Sequence, residues 1–313
     1  MTQDVVVRSM TAGDLPEATR IYRLAFGTFL GAPDPSRFRL DMRTLETRFA
    51  TDPGTAFVAE RAGRLLGSVI GMDWGSQFIV GPLTVDPAHS GQGVARLLMP
   101  AILDVAAQRR PALVSLFTHP ASTTHLRLYE SFGFTPMFLT PVLSKPTRGA
   151  APSSGPRLFS ALSATGQAAA LDQSRGLTEA SFTGLDLRRE IRAIEALRLG
   201  ETILLEDAGG LAGIALCHIG AGTEAGEGAL FVKFATVRPR AAPEFERLLD
   251  AIEALAAERR VQRITGGVNS GRRDAYGRVM ARGFRAGLVG VAMHRPDIAG
   301  TLRQDVYIID DWR

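Results

Sequence analysis

A faint internal repeat constrains this chain more than any other feature. Glu60, Ala62, Gly63, Leu65 and Gly67 return 146 positions later as Glu206, Ala208, Gly209, Leu211 and Gly213. Thr84-Val85-Asp86-Pro87 returns 152 positions later as Thr236-Val237-Arg238-Pro239, and Gly133-Phe134 returns 150 later as Gly283-Phe284. Three matches in one order at nearly one offset imply two copies of a single fold. The 313 residues suffice for two units of ordinary size. Between the copies, Ser144 to Pro156 is rich in Pro, Gly and Ser and has no apolar period, which reads as a linker over about 144–156. The expected units are therefore 1–148 and 149–313.

Within the first copy, strand and helix patterns alternate. Val5-Val6-Val7 reads as a short strand, and Thr11 with Asp14 three residues on forms a helix-start signature. Leu15, Ala18, Ile21, Leu24 and Ala25 repeat at helical spacing. Ala56–Glu60 and Leu65–Met72 read as strands around an Ala62-Gly63 turn, followed by a strand over Phe78–Val85. A helix follows from about Gly93 to Arg109, with Val94, Leu97, Leu98, Ala101, Ile102, Val105 and Ala106 on one face and a kink expected at Pro100. Then come a strand at Leu113–Phe117, a helix at Ser122–Ser131 ended by Gly133, and a strand from Phe134 to Leu143. This alternation predicts an α/β fold.

Composition removes several function classes. The one cysteine, Cys217, excludes an intrachain disulfide and a four-cysteine zinc site, and no metal is expected. A reducing, cytoplasmic setting fits this usage. No signal-peptide pattern opens the chain, and no run of 18 apolar residues suggests a membrane span. The net charge is +4, and of the 36 basic residues only Lys145 and Lys233 are lysines. The arginines occur at most as doublets, so a nucleic-acid partner is not expected.

The chemistry is concentrated in Leu83-Thr-Val-Asp-Pro-Ala-His-Ser-Gly-Gln-Gly-Val-Ala-Arg-Leu-Leu98. A strand ends, glycines follow, and a long helix begins. Unpaired amides at a helix start carry a partial positive charge, and glycine lets a phosphate approach the backbone. A P-loop would need Gly-Lys-Ser/Thr, but Val94-Ala95 follows Gly93. A dinucleotide fingerprint would need a third glycine where Arg96 stands, and five residues, Asp86 to Ser90, separate the strand from the first glycine.

The stretch Ser90-Gly91-Gln92-Gly93-Val94-Ala95 resembles the Arg/Gln-x-x-Gly-x-Gly/Ala motif of the GNAT superfamily of acyl-CoA N-acyltransferases, with Ser90 where the family has Arg or Gln. Leu128-Tyr129-Glu130-Ser131-Phe132-Gly133-Phe134 resembles the family's Leu-Tyr-x-x-x-Gly-Phe signature. The resemblance covers residues 1 to about 143 and the second half in outline. It implies two tandem GNAT-like units, each a mixed, splayed sheet flanked by helices. It implies acetyl-CoA as co-substrate, its pantetheine arm pairing with Leu83, Thr84 and Val85, and its pyrophosphate on the amides from Gly91 through Gln92, Gly93, Val94 and Ala95 to Arg96. It also implies direct transfer of the acetyl group to a small-molecule primary amine in a ternary complex, with Tyr129 protonating the thiolate. The base stays open among His119, Asp73 and a water chain. The alternative is a non-catalytic acyl-CoA sensor.

Carried into the second copy, the same register puts Pro243, Glu244 and Phe245 over the cradle and Val279 at the tyrosine position. Proline has no amide hydrogen, phenylalanine blocks approach and glutamate repels phosphate, so this copy is expected not to bind CoA. It is left to wall the acceptor site or to form a dimer surface, and a homodimer stays open. His89 and His125 read as solvated, Cys217 as buried beside an opposite-facing His218, and Asn269, Arg272 and Arg273 as a solvated helix start. The final residues, Val306 to Arg313, read as a strand, and the first copy lacks a last strand of its own. Strand sharing or tight packing between the copies is the resulting expectation.

Overall fold

The computed structural model describes residues 4–147 and 156–310. Its first half runs β1 (Val6–Ser9), α1 (Leu15–Phe29), α2 (Thr44–Thr51), β2 (Ala56–Arg61), β3 (Arg64–Trp74), β4 (Gln77–Val85), α3 (Val94–Arg109), β5 (Leu113–Thr118), α4 (Thr123–Glu130) and β6 (Thr135–Pro146). The second half repeats that order: β7 (Arg157–Leu158), α5 (Ala164–Ser181), α6 (Arg188–Ala196), β8 (Gly200–Asp207), β9 (Gly210–Ile219), β10 (Ala229–Val237), α7 (Ala242–Glu258), β11 (Arg263–Gly267), α8 (Arg273–Ala281), β12 (Arg285–Arg295) and a short extra strand, β13 (Ile308–Asp310). Thr11 and Asp14 form the expected capping box before α1. The β2–β3 turn places Ala62 and Gly63 at positive φ, the geometry a tight hairpin needs. Pro100 stands inside α3 on its exposed side.

The repeat is visible in the register. The β2–β3 hairpin pairs Arg61 with Arg64 and carries a bulge between Ala59 and Glu60; β8–β9 pairs Asp207 with Gly210 and carries its bulge between Leu205 and Glu206. The parallel pair Gln77–Leu113 of β4–β5 corresponds to Ala229–Arg263 of β10–β11.

The two halves share one 13-stranded sheet by exchanging their last long strands, in the order β1-β2-β3-β4-β5-β12-β6-β11-β10-β9-β8-β7, with β13 off this path on β10. Strand β12, from the second half, pairs with β5 of the first, and β6 pairs with β11 of the second. The exchange is reciprocal: Val114 faces Arg295, and Ile264 faces Lys145. Between β6 and β12, Thr140 faces Gly290, its own counterpart 150 residues on, so a pseudo-twofold axis passes there. Because β6 reaches Pro146 to pair with Arg263, the expected linker begins later than Ser144. Its stretch 148–155 lies outside the described residues, as do Asp311 to Arg313.

The core respects this sharing. One cluster holds α3 against β3–β5, with Leu98, Ile102, Phe78, Leu116 and the second-half residue Met293. Another joins Met72, Trp74 and Ile79 to Leu185, Ile191, Leu216 and Phe234. A buried charge network also crosses between the halves. Arg48 of α2 donates to the Gly81 carbonyl and pairs with Glu224, which accepts from Lys233 at 2.8 Å. Glu190 also pairs with Lys233 and accepts from the Trp74 indole.

Two sequence expectations are corrected here. Asn269 and Arg272 are buried, not solvated: the Asn269 amide donates to Thr140 Oγ1 and the Phe138 carbonyl, and Arg272 pairs with Asp310 of β13. They serve the strand exchange and the tail, which a linear reading does not bring to α8. His125 is not free in solvent either; its ring lies 5.0 Å from that of Phe29. Cys217 is buried in the second-half core, and burial pushes its thiol well above the usual range.

Candidate active site

Strands β4 and β5 pair in parallel only from Gln77–Leu113 to Val80–Leu116. Beyond Val80, β4 bulges at Gly81-Pro82, where three β4 steps oppose two on β3. Leu83, Thr84 and Val85 then stay paired with β3 on one side, and no strand pairs with their other edge among the described residues. Thr84 is buried and shares a hydrogen bond with Ser68, so its side chain is fixed while its backbone edge faces the splay.

At the end of that edge lies the glycine turn. Asp86 caps it, accepting from Ala88 N and pairing with Arg20, which holds its carboxyl below the usual range against the opposing effect of burial. Gly91 has φ +74° and nothing within 4 Å of where a Cβ would stand; Gly93, at φ 81°, precedes α3 directly. The amides of Gly91, Gly93, Val94 and Ala95 have no backbone acceptor among the described residues. Gln92 N bonds the His89 carbonyl and Arg96 N bonds the Gly93 carbonyl. The open cradle is thus four amides, narrower than the six positions from Gly91 to Arg96. Ser90 is exposed beside it. His89 is half-buried, not solvated, with both ring nitrogens buried.

The second half shows what an extended segment does on such an edge. Its residues Phe234, Ala235 and Thr236 correspond to Pro82, Leu83 and Thr84, and they pair antiparallel with Asp310, Ile309 and Ile308 of β13. The chain's own tail fills that splay. Tyr307 packs on Phe245, 5.3 Å between rings, at the position equivalent to Gly93. Val279, where Tyr129 stands in the first half, is buried in the core.

Tyr129 belongs to the cluster that includes Val94, Leu98 and Phe134 at the start of α3. Burial pushes its phenol up to about 12, so it holds its proton at neutral pH. His119 follows β5 past the last β4–β5 pair, half-buried, with its ring 4.7 Å from Phe29 and 6.2 Å from Phe117. Burial first, and then His125, lower its pKa, so it is neutral at pH 7. Asp73 is drawn away from the splay: Arg109 bonds it at 2.6 Å and Gly75 N donates to it, which leaves it engaged at the closed end of the strands. Among the described residues, no group of three or more His, Cys, Asp or Glu side chains is placed to hold a metal ion.

Three participants were not legible in the sequence. The tie from Arg48 to the Gly81 carbonyl fixes the bulge, and its partner Glu224 comes from the other half. Gly290 of β12 lies flat under the Phe117 ring, where a Cβ would fall 2.0 Å from a ring carbon. Phe29 ends α1 over the mouth of the splay. All three depend on contacts between segments remote in sequence. Only the repeat offset, which equates Gly81 with Lys233, hinted at the first.

Comparison with known proteins agrees with this geometry. Residues 52–136 match the acetyltransferase (GNAT) domain model. The chain is 32% identical over 140 residues to the mycothiol acetyltransferase of Thermomonospora curvata, covering 42% of this chain and 44% of that protein. It is 32% identical over 149 residues to that of Thermobispora bispora, covering 40% and 50%. The chain thus spans about half the length of the curated relatives it matches. In fold, it superposes on a Pyrococcus horikoshii protein with TM-score 0.71 at 14% identity, over 99% of this chain and 95% of that one. It superposes on a GCN5-related N-acetyltransferase from Sphaerobacter thermophilus with TM-score 0.61 at 18% identity, over 93% and 95%. Residues 52–136, which hold the glycine cradle, the splayed strands and the α4 tyrosine, thus match a GNAT acetyltransferase domain.

Proposed function

We propose that the chain is an N-acetyltransferase whose first unit, residues 1–148, transfers the acetyl group of acetyl-CoA directly to a primary amine, while the second unit, 149–313, binds no CoA. The observation that carries this reading is the contrast between equivalent edges. In the second half the edge is filled by β13, whereas Leu83–Val85 of the first half is unpaired and leads to four free amides. In this reading, Leu83, Thr84 and Val85 hold the pantetheine amides as a strand would. Gly91, Gly93, Val94 and Ala95 donate to the pyrophosphate, with Ser90, Gln92 and Arg96 around it. The amine nitrogen bonds to the carbonyl carbon as the carbon–sulfur bond breaks. Tyr129 gives its proton to the departing thiolate, and His119, neutral and half-exposed, takes one from the amine.

Calorimetry with acetyl-CoA tests the cradle. One site per chain is expected, and Gly93→Asp should abolish it by setting a carboxylate against the pyrophosphate and a side chain at positive φ. Undiminished affinity in that variant would remove the cradle from the account. Thiol release that depends on added amine separates an enzyme from a sensor.

A further inference from the structure

We propose that the mouth of the first-half splay is an acceptor pocket for a primary amine carrying an aromatic or similarly apolar body. This rests on the acetyl-transfer reading above and adds to it the class of acceptor. Past the last β4–β5 pair, the two strands diverge; Phe117 and Thr118 lie on the diverging part of β5, and His119 follows directly. Helix α1, which packs against β4, ends at Phe29, and that ring reaches across to His119 at 4.7 Å and to His125 of α4 at 5.0 Å. Phe117 stands edge-on to His119 from within the sheet. The second half completes the wall. Val291 pairs with Thr118, and Gly290, the next residue along β12, lies against the Phe117 ring.

The chemistry of this wall is uniform. Phe29 is 44% exposed, so its ring is accessible to a molecule entering the splay. Among the described residues, neither His119 nor His125 forms an ion pair with a carboxylate. Burial lowers both imidazoles, so both rings are neutral at pH 7. A polycationic acceptor would need carboxylates here to offset the loss of water from its remote charges. A hydroxyl-rich acceptor would set most of its hydroxyls against Phe29 and Phe117, which offer no hydrogen bond to offset the loss of water. An aromatic body instead gains offset or edge-on ring contacts with Phe29 and the two imidazoles.

Initial rates of the full chain at saturating acetyl-CoA, read as thiol release, decide the matter with phenethylamine, spermidine and glucosamine as probes. Phenethylamine should exceed the other two in kcat/KM by about tenfold or more, the ratio expected of ring packing alone. Phe29→Ala, at an exposed helix end, should raise the KM for phenethylamine by about tenfold and leave the Kd for acetyl-CoA unchanged. Equal or better use of spermidine or glucosamine, turnover of none of the three, or an unchanged phenethylamine KM in Phe29→Ala would overturn the assignment. Calorimetry on the same sample separates the two levels. If acetyl-CoA binds and these rates fail, only the acceptor class falls; if acetyl-CoA does not bind, the transfer reading falls with it.

Discussion

Tyr129 and His119 divide the proposed reaction between a side chain that keeps its proton and one that has none to lose. The phenol is raised to about 12 by burial, and the imidazole is lowered by the same cause, because burial always disfavours the charged form. Tyr129→Phe keeps the packing against Phe134 and removes only the proton. It should lower kcat by about 10²–10⁴-fold with little change in acetyl-CoA affinity. Single-turnover kinetics beside calorimetry would show whether rate and affinity part in this way. A second histidine makes a stability prediction. His218 is fully buried, 4.0 Å from Glu224, and burial holds its pKa at about 4 against 6.5 for a free side chain. The unfolded chain takes up this proton below about 6.5 and the folded chain only below about 4, so stability falls as pH drops through that window. The loss is on the order of 3 kcal/mol, fully developed near the lower end. Denaturant melts of the wild type between these limits should show it, and His218→Leu should flatten that part of the curve.

At the level of elements, β4 and β12 control the site from opposite sides. The bulge of β4 at Gly81 and that of β10 at Lys233 are equivalent, and Arg48 with Glu224 ties them together through buried hydrogen bonds. Breaking such a pair on one side leaves an uncompensated buried charge, which costs about 3–5 kcal/mol, so the bulge is held firmly. Strand β12 acts through a missing side chain: Gly290 lets Phe117 lie against the sheet. Gly290→Val should push that ring out, cost about 1–3 kcal/mol, and raise the KM for the amine while leaving the Kd for acetyl-CoA unchanged. Thermal melts and steady-state kinetics on the same variant test both parts. The β4–turn–α3 segment was readable from residues alone because its geometry is local. A glycine at positive φ and an uncapped helix start need no distant partner. The partner strands of β5 and β6 were not readable, since an apolar strand pattern carries no address for its neighbour.

As a whole molecule, the chain is a pseudo-dimer made from one polypeptide. Strand β6 pairs only with second-half strands, and β5 has β12 as its outer neighbour. Residues 1–148 expressed alone would therefore expose an unpaired β5 edge and a β6 with no partner. They should associate, with β6 of one copy taking the place of β12 in another, or else aggregate. Sedimentation of the purified fragment checks this, and a stable monomer with unaltered acetyl-CoA affinity would contradict it. No helix among the described residues is long and apolar enough to cross a membrane.

The order of elements and the position of the glycine cradle were determined by the sequence itself, because each depends on residues a few positions apart: apolar spacing, a capping pair, glycines at a helix start; the repeat was legible because matching residues return in one order at a nearly constant offset. The weak second copy could be aligned well enough to set Pro243, Glu244 and Phe245 at the positions of Gly91, Gln92 and Gly93. Tertiary structure alone decided that β6 and β12 change places, that β13 lies along β10 where the first half is open, and that Asn269 and Arg272 are buried. Those outcomes rest on backbone pairing and burial between segments some 40 to 180 residues apart, where many strands of similar composition compete and only the complete sheet, with its edges and charges satisfied, selects among them.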